Sequence, residues 1–217
     1  MDAELFPRSR TEIAPDAVHL PDWLDADHQR QLLEACRAWA LPPAGLRTVR
    51  TPGGGTMTSR QVCLGWHWYP YGYARTVVDG DGSLVKPFPA WLADLARDAA
   101  RDALGPEAVA ATAPYDIALI NFYDTDARMG MHRDSDEQSE APVVSLSLGN
   151  TCVFRFGNTE SRARPYTDVE LRSGDLFVFG GASRLAYHGV PRVYAGTAPP
   201  ELGLTGRLNV TLRVSGL

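Results

Sequence analysis

The residues of this chain best suited to metal chemistry are His132-Arg133-Asp134 and, farther downstream, His188. One residue separates His132 from Asp134. On a strand, residues i and i+2 point to the same face, so both side chains can reach one ion. Two imidazoles plus one carboxylate occupy one face of an octahedron and leave three positions open, which admit a bidentate co-substrate and O2 at Fe(II). The same short pattern also arises as a surface histidine beside a solvated aspartate. A zinc site is a further alternative, and three ligands without a cysteine would make it catalytic rather than structural.

A second set of polar residues lies on the last strand-like run, Arg207 to Arg213. Arg207, Asn209, Thr211 and Arg213 share one face, while Leu208, Val210 and Leu212 share the other. The bland reading is an antiparallel strand with one wet face. If the strand instead closes a barrel, two guanidiniums facing a cavity need anions, and a dicarboxylate supplies two. The arginines are roughly 20 Å apart at about 3.3 Å per residue, so both arms must lean inward. Asn121 and Tyr123, another i, i+2 pair, can add neutral hydrogen bonds.

Trp66 to Tyr73 (WHWYPYGY) is dense in aromatic and imidazole rings and is broken by Pro70 and Gly72. Such density is hard to bury in a short stretch and suits a surface on which bases stack. Partial core remains the plainer role for Trp68 or Tyr69. Arg47, Arg50, Arg60 and Arg75 supply local positive charge to a chain whose net charge is −5. The overall acidity itself argues against tight non-specific nucleic-acid binding.

The elements that must position these groups are legible in outline. The 217 residues, 44% hydrophobic and 22% charged, fit one globular domain with a substantial core. No apolar run is long enough for a membrane helix, and Met1 to Arg10 carries no apolar signal core. Cys36, Cys63 and Cys152 are odd in number and unpaired in spacing, which fits buried thiols in a reducing cytosol. A cytoplasmic monomer is the expectation.

Asp25 to Trp39 reads as a helix capped by Asp25, with Leu32, Leu33, Cys36 and Trp39 as its apolar stripe. Pro42-Pro43 end it. Pro52-Gly53-Gly54-Gly55 reads as a hairpin or lid turn, since no Gly-Lys-Ser/Thr follows. Pro89 to Leu104 reads as a second helix with Trp91, Leu92, Leu95, Ala99 and Leu104 inward. From Tyr115 onward come short β-like runs at 115–123, 143–148, 151–156, 175–180 and 207–214. Gly149-Asn150 reads as a two-residue hairpin. The expectation is α+β: a two-sheet jelly roll buttressed by helices.

Asn121-x-Tyr123, His132-x-Asp134, His188 and Arg207-x5-Arg213 together resemble the AlkB family of Fe(II)/2-oxoglutarate-dependent dioxygenases. The likeness extends through Thr51-Pro-Gly-Gly, Met57-Thr58, Leu64-Gly-Trp66, the run PVVSLSLG at 142–149, Gly180-Gly181-x-Ser-Arg-Leu and Tyr187-His-Gly. It implies a double-stranded β-helix with a nucleotide-recognition lid, forming one dioxygenase domain over 1–217. Residues 1–114 would form the extension, lid and buttress, and 115–217 the catalytic core.

The resemblance also implies Fe(II) at His132, Asp134 and His188, and 2-oxoglutarate at Asn121, Tyr123, Arg207, Asn209 and Arg213. Arg207 takes the distal carboxylate and Arg213 the metal-proximal end. Trp66 and Tyr73 would stack on an extruded base opposite His132. Asp136 would meet the polar edge of the base, and Arg162 the substrate backbone or base. The implied reaction uses O2 to demethylate N-alkylated bases such as 1-methyladenine and 3-methylcytosine in single- or double-stranded DNA. It releases formaldehyde, succinate and CO2.

The chain departs from the family pattern at Asp126, where glycine is usual, at Gly55, where an aromatic is expected, and by a one-residue insertion within 157–167. Alternatives are the same chemistry on methylated RNA or a protein side chain, or a non-catalytic jelly-roll binding module.

Overall fold

The alternating runs close into two antiparallel sheets in the computed structural model, which describes residues 7–51, 53–110 and 112–217. Pro52 of the glycine-rich turn and residues 1–6 lie outside the described residues. The described chain begins with an antiparallel pair, β1 (Thr11–Ala14) and β2 (Ala17–Leu20). Helix α1 (Ala26–Trp39) follows; the Asp25 carboxylate accepts the His28 backbone N–H at 2.9 Å and so satisfies one free donor of its first turn.

Strands β3 (Arg47–Arg50) and β4 (Thr56–Leu64) pair across the glycine-rich turn, closed by Thr51 N–H to Gly55 O at 2.8 Å. The aromatic segment is a small hairpin of its own, β5 (His67–Tyr69) with β6 (Gly72–Ala74). Helix α2 (Ala90–Leu104) buries Leu92, Ala96, Ala99, Ala100 and Ala103. Trp91, expected to face inward, is 47% exposed and stacks on Trp39 at 5.9 Å. One residue rotates a helical side chain by about 100°, which carries Trp91 off the stripe led by Leu92.

The remaining strands are β7 (Ile117–Tyr123), β8 (Met129–His132), β9 (Val143–Gly149), β10 (Cys152–Phe156), β11 (Thr167–Leu171), β12 (Leu176–Phe179), β13 (His188–Val193) and β14 (Arg207–Arg213). The larger sheet runs β1-β2-β12-β9-β14-β7-β4-β3, and the smaller β11-β10-β13-β8. The fold is thus the expected jelly roll, although its larger sheet also recruits β1 to β4 from the first half of the chain.

One face of the larger sheet presents Leu146, Leu208, Val210 and Leu212 to Leu32, Leu33, Leu92 and Ala96 of the helices. The other face presents Tyr123, Phe177 and Phe179 to Phe154, Phe156 and Val190 of the smaller sheet. This second layer holds the site.

Gly149-Asn150 is not a hairpin turn. β9 and β10 lie in different sheets, so these residues carry the chain around the corner between them. Gly149 has φ 83°, and a Cβ there would stand 2.4 Å from Gly206 O. Asn150 braces the corner through Oδ1, which accepts the backbone N–H of Thr197 at 3.1 Å and of Ala198 at 2.9 Å. Among the described residues, no helix is long and apolar enough to cross a membrane.

Candidate metal and co-substrate site

β8 ends at His132 and β13 begins at His188, and these residues are direct partners across the two strands. Their ring centroids are 4.5 Å apart. Asp134 lies just beyond β8 rather than on it, so strand alternation does not aim its side chain. The guanidinium of Arg184 takes over, donating to Asp134 O at 2.7 Å where a sheet ladder would otherwise satisfy that carbonyl. Asp136, also expected on that strand face, is likewise beyond the strand.

Ligand atoms of His132, Asp134 and His188 all lie within 4.8 Å of one another. Each Nε2 is 3.7 Å from a different oxygen of Asp134. His132 Nδ1 meets Gly130 O at 2.9 Å and His188 Nδ1 meets Ala186 O at 3.0 Å. A carbonyl only accepts, so each Nδ1 carries a proton and each ring turns Nε2 toward Asp134. Burial beside Phe154 and Phe179 pushes the His188 pKa down to about 4, despite the opposing pull of Asp134. Burial works against the charge of Asp134, yet Arg213 and the two imidazoles hold its carboxyl at about 2. The neutral imidazole and the ionised carboxylate are the forms a metal binds.

Three buried polar atoms of the site lack a hydrogen-bond partner: Asp134 Oδ2, Arg207 Nε and Arg213 Nε. Asp134 Oδ2 has no hydrogen-bond partner, although Oδ1 takes 2.7 Å contact from Arg213. Arg207 is 1% exposed; it donates to Ser147 Oγ at 2.9 Å and Asn150 O at 3.3 Å, and its Nε is unpartnered. No carboxylate among the described residues pairs with this guanidinium. A buried charge without a counterion is costly, so the cavity wall asks for an anion.

That cavity is lined by the triad together with Asn121, Tyr123, Arg207, Asn209, Thr211 and Arg213. Asn121 accepts from Gln61 Nε2 at 3.1 Å, and Asn209 donates to Ser145 Oγ at 2.7 Å. The two arginines differ electrostatically: Arg213 meets Asp134 at 2.7 Å and Glu137 at 2.8 Å and is already neutralised.

A second, open cavity of about 720 Å³ lies above the triad. Its walls include Trp68, Tyr71, Asp136, Arg128, Arg133 and Arg162. Arg133 and Arg162 both lie over the Tyr187 ring, at 5.0 and 5.9 Å.

Trp66 and Tyr73 do not line it. Arg75 covers the Trp66 ring at 3.4 Å, and the Trp66 indole N–H donates to Asp116 at 3.1 Å. The Tyr73 hydroxyl donates to the buried Glu137. Trp68, read as partial core, packs against Cys63, Ile117 and Leu119 and also lines the cavity, with its N–H donated to Asp136 at 2.8 Å. Parity could not separate the two indoles, because they stand two residues apart and alternation gives them one face; Trp66 lies before β5 begins at His67. Arg184 stands in the Gly180-Gly181-x-Ser-Arg-Leu run of the resemblance without a role attached, and Glu137 carried no signal beyond its proximity to Asp134.

Comparison with known proteins places this geometry in context. Residues 16–213 match the 2OG-Fe(II) oxygenase superfamily. An alpha-ketoglutarate-dependent dioxygenase AlkB homolog of Caulobacter vibrioides is 38% identical over 89% of this chain and 84% of its own. The DNA N(6)-methyladenine demethylase ALKBH1D of Arabidopsis thaliana is 33% identical over 93% of this chain, which spans only 50% of that relative's length. The solved structure of OsALKBH1 superposes with a TM-score of 0.82 and 32% identity, covering 94% of this chain and 100% of that one.

Proposed function

The chain belongs to the 2OG-Fe(II) oxygenase superfamily as an AlkB-type member, and from that premise we propose that it oxidatively demethylates N-alkylated bases in DNA, such as 1-methyladenine and 3-methylcytosine. The observation that carries the reading is a buried guanidinium without an anion and a carboxylate oxygen without a partner on one cavity. Asp134 Oδ2 lies 3.7 Å from His188 Nε2 with no hydrogen-bond partner, and Arg207 is buried without an anion.

On this reading His132, Asp134 and His188 hold Fe(II), and Arg207 fixes the distal carboxylate of 2-oxoglutarate by charge-assisted hydrogen bonds. Asn121, Tyr123 and Asn209 orient the co-substrate. Arg213 walls the metal-proximal end, already paired with two carboxylates of the protein. Fe(II), when bound, supplies activation of O2 coupled to conversion of 2-oxoglutarate to succinate and CO2, and a methyl group so oxidised leaves as formaldehyde.

The open cavity supports a base as substrate. Trp68 offers a stacking face, and Asp136 an acceptor for a polar base edge. Arg162, with Arg133 and Arg128, supplies cations for the phosphate backbone. Trp66 and Tyr73 support the lid from behind. Extruding a base costs a few kcal/mol, less where alkylation has already broken its pairing.

The test is formaldehyde release from a panel of alkylated single- and double-stranded DNA, RNA and peptide, with and without 2-oxoglutarate. N6-methyladenine belongs in the panel because the Arabidopsis relative is named for it. Turnover of alkylated DNA that requires 2-oxoglutarate is expected. Turnover on RNA or peptide with none on DNA would overturn the DNA reading.

A further inference from the structure

We infer that Glu137 is the positioning residue of the metal centre, fixing Asp134 and tying the aromatic lid to it; this rests on the triad being the metal site. The Glu137 side chain is fully buried. Its Oε2 accepts from Arg184 at 3.0 Å, and its Oε1 accepts from Arg213 at 2.8 Å and from the hydroxyl of Tyr73. Each guanidinium then reaches on to Asp134. Arg184 donates to the Asp134 main-chain oxygen at 2.7 Å, and Arg213 meets Oδ1 at 2.7 Å. A single carboxylate therefore orients the two groups that hold the main chain and the side chain of the ligand.

Asp134 needs this support because it stands beyond the end of β8, with no strand pairing of its own. Sharing Arg213 with Glu137 also keeps the guanidinium from covering both Asp134 oxygens, which leaves Oδ2 bare beside His188. Asp134 and Glu137 balance Arg184 and Arg213, so the buried cluster is neutral in side-chain charge. Replacing Glu137 by its amide leaves one uncompensated positive charge beside a dication site. Partners behind a metal ligand of this kind typically change metal affinity by about 10–100-fold.

The link to the lid runs through Tyr73 on β6, whose hydroxyl lies between Glu137 and Arg213, 3.3 Å from the latter. Lid position and ligand position are thus joined by one hydroxyl and one carboxylate.

Cobalt(II) titration of the metal-free protein by calorimetry tests this without turnover. Circular dichroism and melting temperature of the metal-free forms are recorded alongside. Wild-type protein should bind one cobalt ion and His132→Ala should not; failure here would overturn the triad itself. Given wild-type binding, Glu137→Gln should bind about 10–100-fold more weakly with unchanged circular dichroism. Tyr73→Phe should weaken binding in the same direction by less. A folded Glu137→Gln protein with wild-type affinity would overturn the inference. If Glu137→Gln does not fold, Tyr73→Phe decides: weaker binding supports the coupling, and unchanged affinity overturns it.

Discussion

The indole N–H of Trp68 donates to the carboxylate of Asp136 at 2.8 Å, joining the lid hairpin to the segment that carries Asp134. The contact turns one edge of Trp68 toward Asp136 and keeps the ring at the wall of the open cavity. It also orients Asp136, the residue proposed to meet the polar edge of a base. Stacking and polar recognition are therefore set by one hydrogen bond between side chains of different elements.

Trp68→Ala should raise the KM for an alkylated oligonucleotide by about 10-fold or more, because base stacking on an aromatic is worth roughly 1–3 kcal/mol. Trp66→Ala, which removes a ring clasped between Arg75 and the core, should instead lower the melting temperature. Steady-state kinetics and thermal melts on both variants separate the roles. A KM effect confined to Trp66→Ala would reverse the assignment.

Arg207→Met should leave the ligand-free protein as stable as wild type or more so, since it removes a buried charge that no carboxylate of the protein neutralises. The same change should raise the KM for 2-oxoglutarate by about 100-fold, the scale of losing a buried charge partner. Added 2-oxoglutarate should raise the melting temperature of wild type and not of the variant. Equal shifts in both would remove Arg207 from the co-substrate site.

What was legible in the sequence depended on local period. The alternation of β14 places Arg207, Asn209, Thr211 and Arg213 on the cavity face and Leu208, Val210 and Leu212 against the helices, as strand geometry requires. The helix stripes emerged similarly, apart from Trp91. What escaped was set by distant partners. The Gly149-Asn150 corner has the dipeptide of a tight hairpin, and only the assignment of β9 and β10 to different sheets shows otherwise. Glu137 acquires its role from Arg184 and Arg213, 47 and 76 residues away in sequence. No local pattern records such a meeting.

The depressed pKa of His188 predicts a pH dependence for the metal-free fold. Its folded value, about 4, lies below that of an unfolded histidine near 6.5, so the unfolded chain binds the extra proton first. This contribution is complete above pH ~6.5 and is lost as pH falls toward 4. Asp134 adds a loss at lower pH, between the ordinary carboxylate value and about 2. Denaturant melts of the metal-free protein between pH 7 and 4 should therefore show falling stability, with a shallower slope for His188→Leu. Identical slopes would mean that His188 is not buried as a neutral ring.

Asp175 provides a prediction that separates stability from chemistry. Its fully buried carboxylate accepts from Arg8 at 2.6 Å and His19 at 2.9 Å. It also accepts the backbone N–H groups of Asp22 at 3.0 Å and Arg172 at 2.9 Å. These contacts pin the segment around β2 to the turn entering β12, on the edge of the larger sheet away from β14. Burial alone would raise the Asp175 pKa, but His19, Arg8 and the two amides bring it below the usual value. Removing the carboxylate leaves Arg8, His19 and two amides short of an acceptor. Breaking a buried pair in this way costs about 3–5 kcal/mol. Asp175→Ala should therefore lower the denaturation midpoint substantially, while the surviving folded protein keeps the wild-type KM for 2-oxoglutarate. A changed KM with unchanged stability would show that this network serves the site rather than the sheet edge.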